Sequence, residues 1–177
     1  MEKIIVEQLL IYLLTNNLIS KQQHGFLSRK STATNLLESL NDWTVNMENK
    51  HSQSIAYIDF AKAFDSVSHP KLMTKLSGFG IGGVLLNWIS DFLTGRSHRT
   101  RVGHCLSSVA FLDSGVLIQG SCLGPVLILL YVNDIVDVLT DDAEMKLYAD
   151  DVKLYSSMPA NVTSSNDLQT QLNNLLQ

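Results

Sequence analysis

Cysteine and proline are scarce in this sequence, and no apolar run is long. The 177 residues include 2 cysteines and 3 prolines. Cys105 and Cys122 form neither a metal-ligating pattern nor a disulfide framework, so we expect an intracellular, reducing setting, without distinguishing nucleus from cytoplasm. Gly124-Pro125 interrupt the most apolar stretch, which is well short of the roughly 20 residues that span a membrane. The first residues predict a periodic helix rather than a secretory leader, and we therefore expect no membrane partner.

Charged residues are also few, at 17%, and acids outnumber bases to give a net charge of −4. That balance disfavours a domain that binds nucleic acid through overall positive charge. The distribution is more informative than the sum, because acids concentrate between residues 134 and 151 while cations concentrate near residues 21–30 and 96–101. This pattern fits an acidic metal-binding centre with basic flanks. Random charge clusters on a solvated surface are the alternative.

An apolar content of 45% over 177 residues suffices for one folded domain with a sizeable core. Apolar periodicity predicts helices over residues 2–15, 32–47, 70–78, 84–93, 123–138 and 166–176. The buried face of the second helix is expected to comprise Leu36, Leu37, Leu40 and Trp43. Residues 55–58 predict a buried strand, and residues 96–112 predict a hairpin that turns at Gly103-His104. Helices mixed with antiparallel strands indicate an α+β domain.

Two adjacent acids occupy the tetrapeptide Tyr148-Ala149-Asp150-Asp151, between apolar runs at residues 145–148 and 152–155. The runs predict strands, which places the acids at the tip of a tight hairpin. Two like charges about 4 Å apart repel by roughly 4 kcal/mol at an effective dielectric constant near 20. A divalent cation commonly offsets such repulsion. A solvated acidic turn is the alternative, because aspartate is a frequent turn residue.

A third acid, Asp59, directly follows the strand predicted at residues 55–58. Nucleotidyl transfer by two cations needs carboxylates that bridge ions about 3.5 to 4 Å apart. One acid at a strand end, facing a hairpin that carries two more acids, would supply these bridging carboxylates. An ordinary acid in a turn has the same sequence pattern and is the alternative. Gln119-Gly120 precede a predicted helix, where glycine lets a base or sugar approach and helix-start amides can meet phosphate. An ordinary loop with an N-cap at Ser121 is the alternative.

Together these segments resemble the reverse transcriptases of non-LTR retrotransposons, which are LINE-type and jockey-like. The resemblance extends over nearly the whole chain. It rests on His24-Gly25-Phe26 with Lys30-Ser31-Thr32, on a first catalytic motif at residues 58–67, on Gly115-Val116 with residues 119–125, on residues 131–135, and on Tyr148-Ala149-Asp150-Asp151. Three catalytic motifs in the family's order and spacing are not expected by chance.

The resemblance implies a metal centre and a nucleotide pocket. Asp59 and Asp150 would ligate two Mg²⁺ ions, or Mn²⁺, with Asp151 completing the carboxylates and the carbonyl of Phe60 adding an oxygen. One ion would activate the primer 3′-hydroxyl, and the other would hold the triphosphate. Phe64 would be the steric gate against a ribose 2′-hydroxyl, with a core aromatic as the alternative. Nucleotide-binding positions would be Gln119 and Gly120. Weaker candidates for phosphate contact, with a solvated face as the alternative, are Lys30, Arg96, Arg99 and Arg101.

The same resemblance implies a fragment of an RNA-directed DNA polymerase, with an RNA template, a DNA primer and deoxynucleoside triphosphates as partners. It implies a polymerase palm, whose antiparallel sheet packs on helices, plus part of the fingers. Residues 1–52 would be helices leading from fingers to palm, residues 53–160 the palm with three catalytic motifs, and residues 161–177 the start of a truncated helix. We expect the thumb and the endonuclease of the retrotransposon polyprotein to be missing.

One departure from the family pattern lies in the second motif. Two residues, Leu117-Ile118, separate Gly115-Val116 from Gln119, where the family usually has one. This extra residue and the expected truncation leave open a catalytically inactive remnant or a nucleic-acid-binding module. An RNA-directed RNA polymerase, which the aromatic ring of Phe64 disfavours, and an intron-encoded maturase are further alternatives. A plain helical interaction domain would explain the apolar stripes but would leave the acidic motifs as coincidence.

Overall fold

The computed structural model describes residues 1–112, 117, 120–139, 143–159 and 166–175. Its helices are α1 (Glu2–Thr15), α2 (Thr32–Glu48), α3 (His69–Gly78), α4 (Gly83–Leu93), α5 (Leu123–Val132) and α6 (Asn166–Leu175), with 3₁₀ helices at Ala63–Asp65 and Asn133–Val138. Its strands are β1 (His51–Ile58), β2 (Ser97–His98), β3 (Arg101–Val102), β4 (Cys105–Leu106), β5 (Ala110–Phe111), β6 (Ala143–Tyr148) and β7 (Asp151–Pro159). The predicted mixture of helices and antiparallel strands is confirmed. Within the described ranges, no helix has both the length and the apolar character needed to cross a membrane.

Three strands form the main sheet, in the order β1-β7-β6 with both pairs antiparallel. The register pairs Ile58 with Val152 and Tyr148 with Asp151. β1 therefore ends beside the turn that joins β6 to β7. One face of this sheet is apolar and packs against α6 and the 3₁₀ helix Asn133–Val138. The buried residues of that face are Met145, Leu147, Val152 and Leu154.

α2 covers the opposite face of the sheet with its polar side, which contradicts the buried face predicted for this helix. Its buried residues are Asn35 and Ser39, and Trp43 is half-buried. The three leucines expected inside are exposed, by 48% for Leu36, 65% for Leu37 and 43% for Leu40. The prediction was wrong because β7 presents Lys153 and Tyr155 to the helix, and buried polar groups of this kind require hydrogen-bond partners.

β1 is an edge strand, whereas its apolar sequence predicts a buried one. It lies at one end of the strand order, and the side chain of Tyr57 is 71% exposed. Ala56 and Ile58 pack against the apolar face of the sheet. Successive side chains of a strand point to opposite faces, so Ile55 and Tyr57 point away from that core. The apolar run therefore contains both core-facing and solvent-facing residues, and a run of four apolar residues does not distinguish them.

A second core is built by helices packed around α5. Seven of the ten residues of α5 are buried, and α1, α3 and α4 contribute further core residues that include Leu13, Leu72, Leu76 and Ile89. The helix predicted over residues 123–138 changes to 3₁₀ geometry at Asn133. There the Asn133 side chain accepts the Ser20 N–H at 2.8 Å and donates to the Leu18 carbonyl at 3.0 Å. These contacts fix the direction in which the chain leaves α5.

The predicted hairpin at residues 96–112 is confirmed. β2 pairs with β5 and β3 pairs with β4, all antiparallel and exposed. The turn contains Gly103, whose φ of +60° is easily adopted by glycine.

Candidate active site

The two adjacent acids lie where the sequence predicts, at the turn between β6 and β7. Ala149 and Asp150 form a two-residue turn, and Asp151 is the first residue of β7. Ala149 is buried and has a φ of +56°, a left-handed conformation that is unfavourable for a residue with a Cβ. Asp150 is half-buried and Asp151 is exposed. The turn therefore holds two carboxylates at one end of the sheet.

The third acid approaches the same turn from the neighbouring strand. Ile58 and Val152 are the last paired residues of β1 and β7, so Asp59 emerges beside Asp151. Although Asp151 is largely exposed, partial loss of hydration raises the pKa of its carboxyl above the ordinary value, and the negative charges of Asp150 and Asp59 raise this pKa further. Asp151 is thus close enough to both Asp150 and Asp59 to be repelled by them electrostatically.

The donor chemistry of this acidic group fits a hard divalent cation. In the described part of the chain, no group of three His, Cys, Asp or Glu side chains is arranged to hold a metal ion. Mg²⁺ does not need three protein ligands, because it retains several waters and uses one or two carboxylates together with substrate phosphates. Asp59, Asp150 and Asp151 offer only oxygen ligands, and a cation would relieve the repulsion that Asp59 and Asp150 exert on Asp151.

A cleft of about 270 Å³ opens beside these acids. Its lining residues include Asp59, Asp151, Tyr57, Tyr148, Lys146 and Lys153. Neither lysine was predicted from the sequence as a site residue. The signal for them was their spacing, since Lys153 lies two residues after Asp151 and Lys146 two residues before Tyr148, which places all of them on one face of the sheet.

α2 fixes both lysines at the cleft. Lys153 is buried, donates to Asn35 Oδ1 and Ser39 Oγ, both at 3.0 Å, and lies 5.6 Å from the Trp43 ring centroid. Burial lowers the pKa of Lys153, and the nearby positive charge of Lys146 lowers it further. Lys146 forms a 3.1 Å ion pair with Glu38. The cleft is therefore lined by two lysines as well as by Asp59 and Asp151, and Lys146 is paired with Glu38.

Residues 22–25 hold the acidic turn from its other side. The Gln23 side chain accepts the Ala149 N–H at 2.9 Å and donates to the Ala149 carbonyl at 3.2 Å. A Cβ placed on Gly25 would lie 2.3 Å from the Ala149 nitrogen, so glycine permits this close approach. The His24-Gly25-Phe26 segment was predicted from the sequence, but Gln23 was not. The glycine was the available signal that another backbone passes close by.

Phe60 and Phe64 follow Asp59 along the chain. Phe60 is exposed, whereas Phe64 is half-buried and packs against the helical core. The Phe64 carbonyl accepts the N–H of the buried Leu117 at 2.7 Å. This hydrogen bond brings the segment of the second motif to the first motif. Both interpretations of Phe64, gate and core aromatic, are compatible with its half-buried position.

The second motif is described only in part. Gln119, together with Gly115, Val116 and Ile118, lies outside the described residues. Gly120 is exposed with a φ of +84°. At the start of α5, the Leu123 N–H donates to Glu2 Oε1 at 2.7 Å and the Gly124 N–H donates to Ser121 Oγ at 2.9 Å. These helix-start amides therefore bond within the protein, although the N-cap residue is Cys122 and not the predicted Ser121.

The basic residues predicted to contact phosphate are absent from the described lining of the cleft beside Asp59 and Asp151. Arg96, Arg99 and Arg101 lie on the exposed hairpin. Arg96 stacks over the Phe92 ring at 5.7 Å, and Arg101 Nε donates to the Gly103 carbonyl at 2.9 Å. Lys30 donates to the Lys21 carbonyl, and burial lowers its pKa.

The family model for reverse transcriptase (RNA-dependent DNA polymerase) matches residues 1–177. The chain belongs to the reverse transcriptase family. Over 97% of its length it is 30% identical to the RNA-directed DNA polymerase from mobile element jockey of Drosophila funebris, and equally so to that of Drosophila melanogaster. A further relative is the retrovirus-related Pol polyprotein from type-1 retrotransposable element R2 of Popillia japonica. The identity is 30%, and the alignment covers 50% of this chain and 14% of that protein. This reverse transcriptase chain spans 19% of the length of each jockey protein.

The family predicted from the sequence motifs is thereby confirmed. Reverse transcriptases generally use divalent metal ions, in agreement with the all-oxygen donor set at the β6–β7 turn. Family membership also argues against the plain helical interaction domain, because the match includes all three catalytic motifs.

Proposed function

We propose that this chain is a palm segment, with part of the fingers, of an RNA-directed DNA polymerase from a non-LTR retrotransposon. In this assignment residues 1–52 lead from fingers to palm, residues 53–160 form the palm, and residues 161–177 begin a further helix. The observation that carries the proposal is the convergence of the β1 end with the β6–β7 turn, which brings Asp59 beside Asp150 and Asp151.

We assign Asp59 and Asp150 as the principal ligands of two Mg²⁺ ions, with Asp151 and the Phe60 carbonyl as additional oxygen ligands. When bound, such ions activate a primer 3′-hydroxyl and neutralise the triphosphate and its pyrophosphate leaving group. The protein's own contribution is to fix the carboxylates at one sheet end and to place Lys146 and Lys153 on the adjoining wall. These ammonium groups would attract phosphate to the cleft.

The substrate assignments follow from the family and from the relatives. The jockey proteins are named as RNA-directed DNA polymerases, and we transfer to this chain an RNA template, a DNA primer and deoxynucleoside triphosphates. Phe64 would exclude a ribose 2′-hydroxyl, and Gln119 and Gly120 would line the nucleotide pocket. Exposure of Arg96, Arg99 and Arg101 on the hairpin is compatible with contacts to nucleic-acid phosphates.

Single-nucleotide extension of a labelled DNA primer on an RNA template tests this function. The chain is used in excess over primer–template with Mg²⁺ and one complementary deoxynucleotide. We expect Asp150→Asn to lower the rate by at least about a hundredfold, since loss of even an outer-shell partner of a metal often costs 10–100-fold. The matched control is Asp91→Asn, at an exposed position on α4, which should extend at the wild-type rate.

Unchanged extension by the Asp150→Asn variant would contradict the assigned role. Binding of primer–template without any extension by the wild-type chain would instead favour the nucleic-acid-binding module. The chain's 19% span of the jockey proteins makes that second outcome a specific alternative.

A further inference from the structure

Gln23 makes an unusual set of contacts for a residue outside the acidic motifs. Its side chain is 1% exposed. Its Oε1 accepts the N–H groups of Ala149 at 2.9 Å and Gly25 at 2.7 Å, and its Nε2 donates to the Ala149 carbonyl at 3.2 Å. A single side-chain amide therefore binds both backbone polar groups of Ala149, the residue that directly precedes Asp150.

Ala149 needs such support because of its backbone conformation. Its φ of +56° is left-handed, and a residue with a Cβ holds this conformation only when its surroundings impose it. The carbonyl of Ala149 belongs to the peptide that continues into Asp150. Orientation of this peptide sets the direction in which the Asp150 side chain leaves the turn.

The segment that carries Gln23 is itself anchored to β6 on both sides. The Leu147 N–H donates to the Gln22 carbonyl at 2.9 Å, and the His24 N–H donates to the Leu147 carbonyl at 2.8 Å. Asn35 Nδ2 on α2 donates to the same Leu147 carbonyl at 3.1 Å. Gly25 then passes so close to Ala149 that no larger residue fits. The Gln23 amide is consequently presented to the turn from a fixed backbone.

We propose that Gln23 is a positioning residue for the acidic centre. It holds the Ala149–Asp150 turn in the one conformation that directs the Asp150 and Asp151 carboxylates towards Asp59. The inference rests on the function proposed above, because it takes those carboxylates to be the metal ligands. It assigns to a distant segment the task of organising the turn ahead of metal binding, as outer-shell hydrogen bonds commonly do.

The test is a titration of the full chain with Mn²⁺, in which electron paramagnetic resonance measures the concentration of the free ion. Gln23→Ala is compared with Gln22→Ala, a matched control at the adjacent position whose side chain bonds to Ser20. Measurements are made at a temperature where circular dichroism shows both variants folded. If Gln23→Ala does not fold, Gln23→Met replaces it, since methionine preserves the length of the side chain without its hydrogen bonds.

We expect Gln23→Ala to weaken Mn²⁺ binding about tenfold or more, the range typical of an outer-shell partner, and Gln22→Ala to stay within about twofold. Amide exchange at Ala149 should also accelerate in the Gln23 variant, because its N–H loses its acceptor. A purely structural role would lower thermal stability without changing the affinity of the folded protein.

Two results would overturn the inference, and they are distinguishable. Wild-type Mn²⁺ affinity in the Gln23 variant, with binding abolished by Asp150→Asn, would refute the positioning role and leave the proposed function intact. Failure of the wild-type chain to bind Mn²⁺ would refute the proposed metal centre and, with it, this inference.

Discussion

At the scale of single residues, the acidic centre is a group of charges held together against their own repulsion. Asp150 and Asp59 both raise the pKa of Asp151, in addition to the effect of burial. Gln23 and Gly25 hold the turn that carries two of these acids. Clustering these charges lowers the stability of the folded protein, yet the same charges are the proposed cation ligands. Such a trade-off between stability and function is common.

Asp151→Asn should make the chain more stable at neutral pH, because it removes one of the repelling charges. A folded-state pKa above the ordinary 3.8 means that the folded protein binds the proton more tightly, so wild-type stability falls as pH rises through the raised pKa. The difference between the two proteins should therefore be present at pH 7 and vanish below about pH 3.8. Urea unfolding at several pH values measures this. A variant less stable than wild type at pH 7 would contradict the repulsion.

Gly25→Ala should destabilise the fold strongly. The new Cβ would lie 2.3 Å from the Ala149 nitrogen, so either the turn or the segment must move, at a cost of about 3 kcal/mol. The control is Gly78→Ala at the end of α3, where a Cβ meets nothing within 4 Å. Alanine is favoured over glycine in a helix, so this variant should be unchanged or slightly more stable. Equal stabilities of the two variants in urea would contradict the close approach.

At the scale of elements, most helix bounds follow from the sequence, apart from the change to 3₁₀ geometry after α5, but the buried face of α2 does not. Its leucines predict one face, and the structure buries another. The reason is the sheet it covers: Lys153 donates to Asn35 and Ser39, and the Tyr155 hydroxyl donates to Asp42 at 2.6 Å. A helix packed on polar strand residues must bury its own polar side. The buried face of the helix therefore cannot be predicted until the strand that it packs against is known.

The same substitution on two helices tests this orientation. Leu37→Ala on α2 should change the free energy of unfolding by less than about 0.5 kcal/mol, because the side chain is already 65% exposed. Leu72→Ala on α3 should cost about 2–5 kcal/mol, because Leu72 is fully buried. Both are measured by urea unfolding. A large loss at Leu37 would mean that α2 packs with its leucines inside.

At the scale of the whole molecule, the described residues form two apolar cores. The helical core extends from α1 to α5, and the sheet core lies between the three strands, α6 and the 3₁₀ helix Asn133–Val138. The positions of Asp59 at a strand end and of Asp150 and Asp151 at a turn could be predicted from the sequence, because each belongs to a short motif. The spacing of Lys153 from Asp151 predicts a shared face of the sheet. The contacts of Gln23 and Lys153 could not be predicted, because their partners lie more than a hundred positions away.

The central claim is that three acids from two distant segments form one divalent-cation site. Paramagnetic broadening of backbone amide signals by Mn²⁺ in the isotope-labelled chain tests it most directly, because broadening falls steeply with distance from the ion. We predict that the strongest broadening coincides at residues 59–60 and 149–152, with the exposed hairpin at residues 101–106 unaffected. Broadening confined to one segment, or centred elsewhere, such as on Asp134 and Asp137, would contradict the claim.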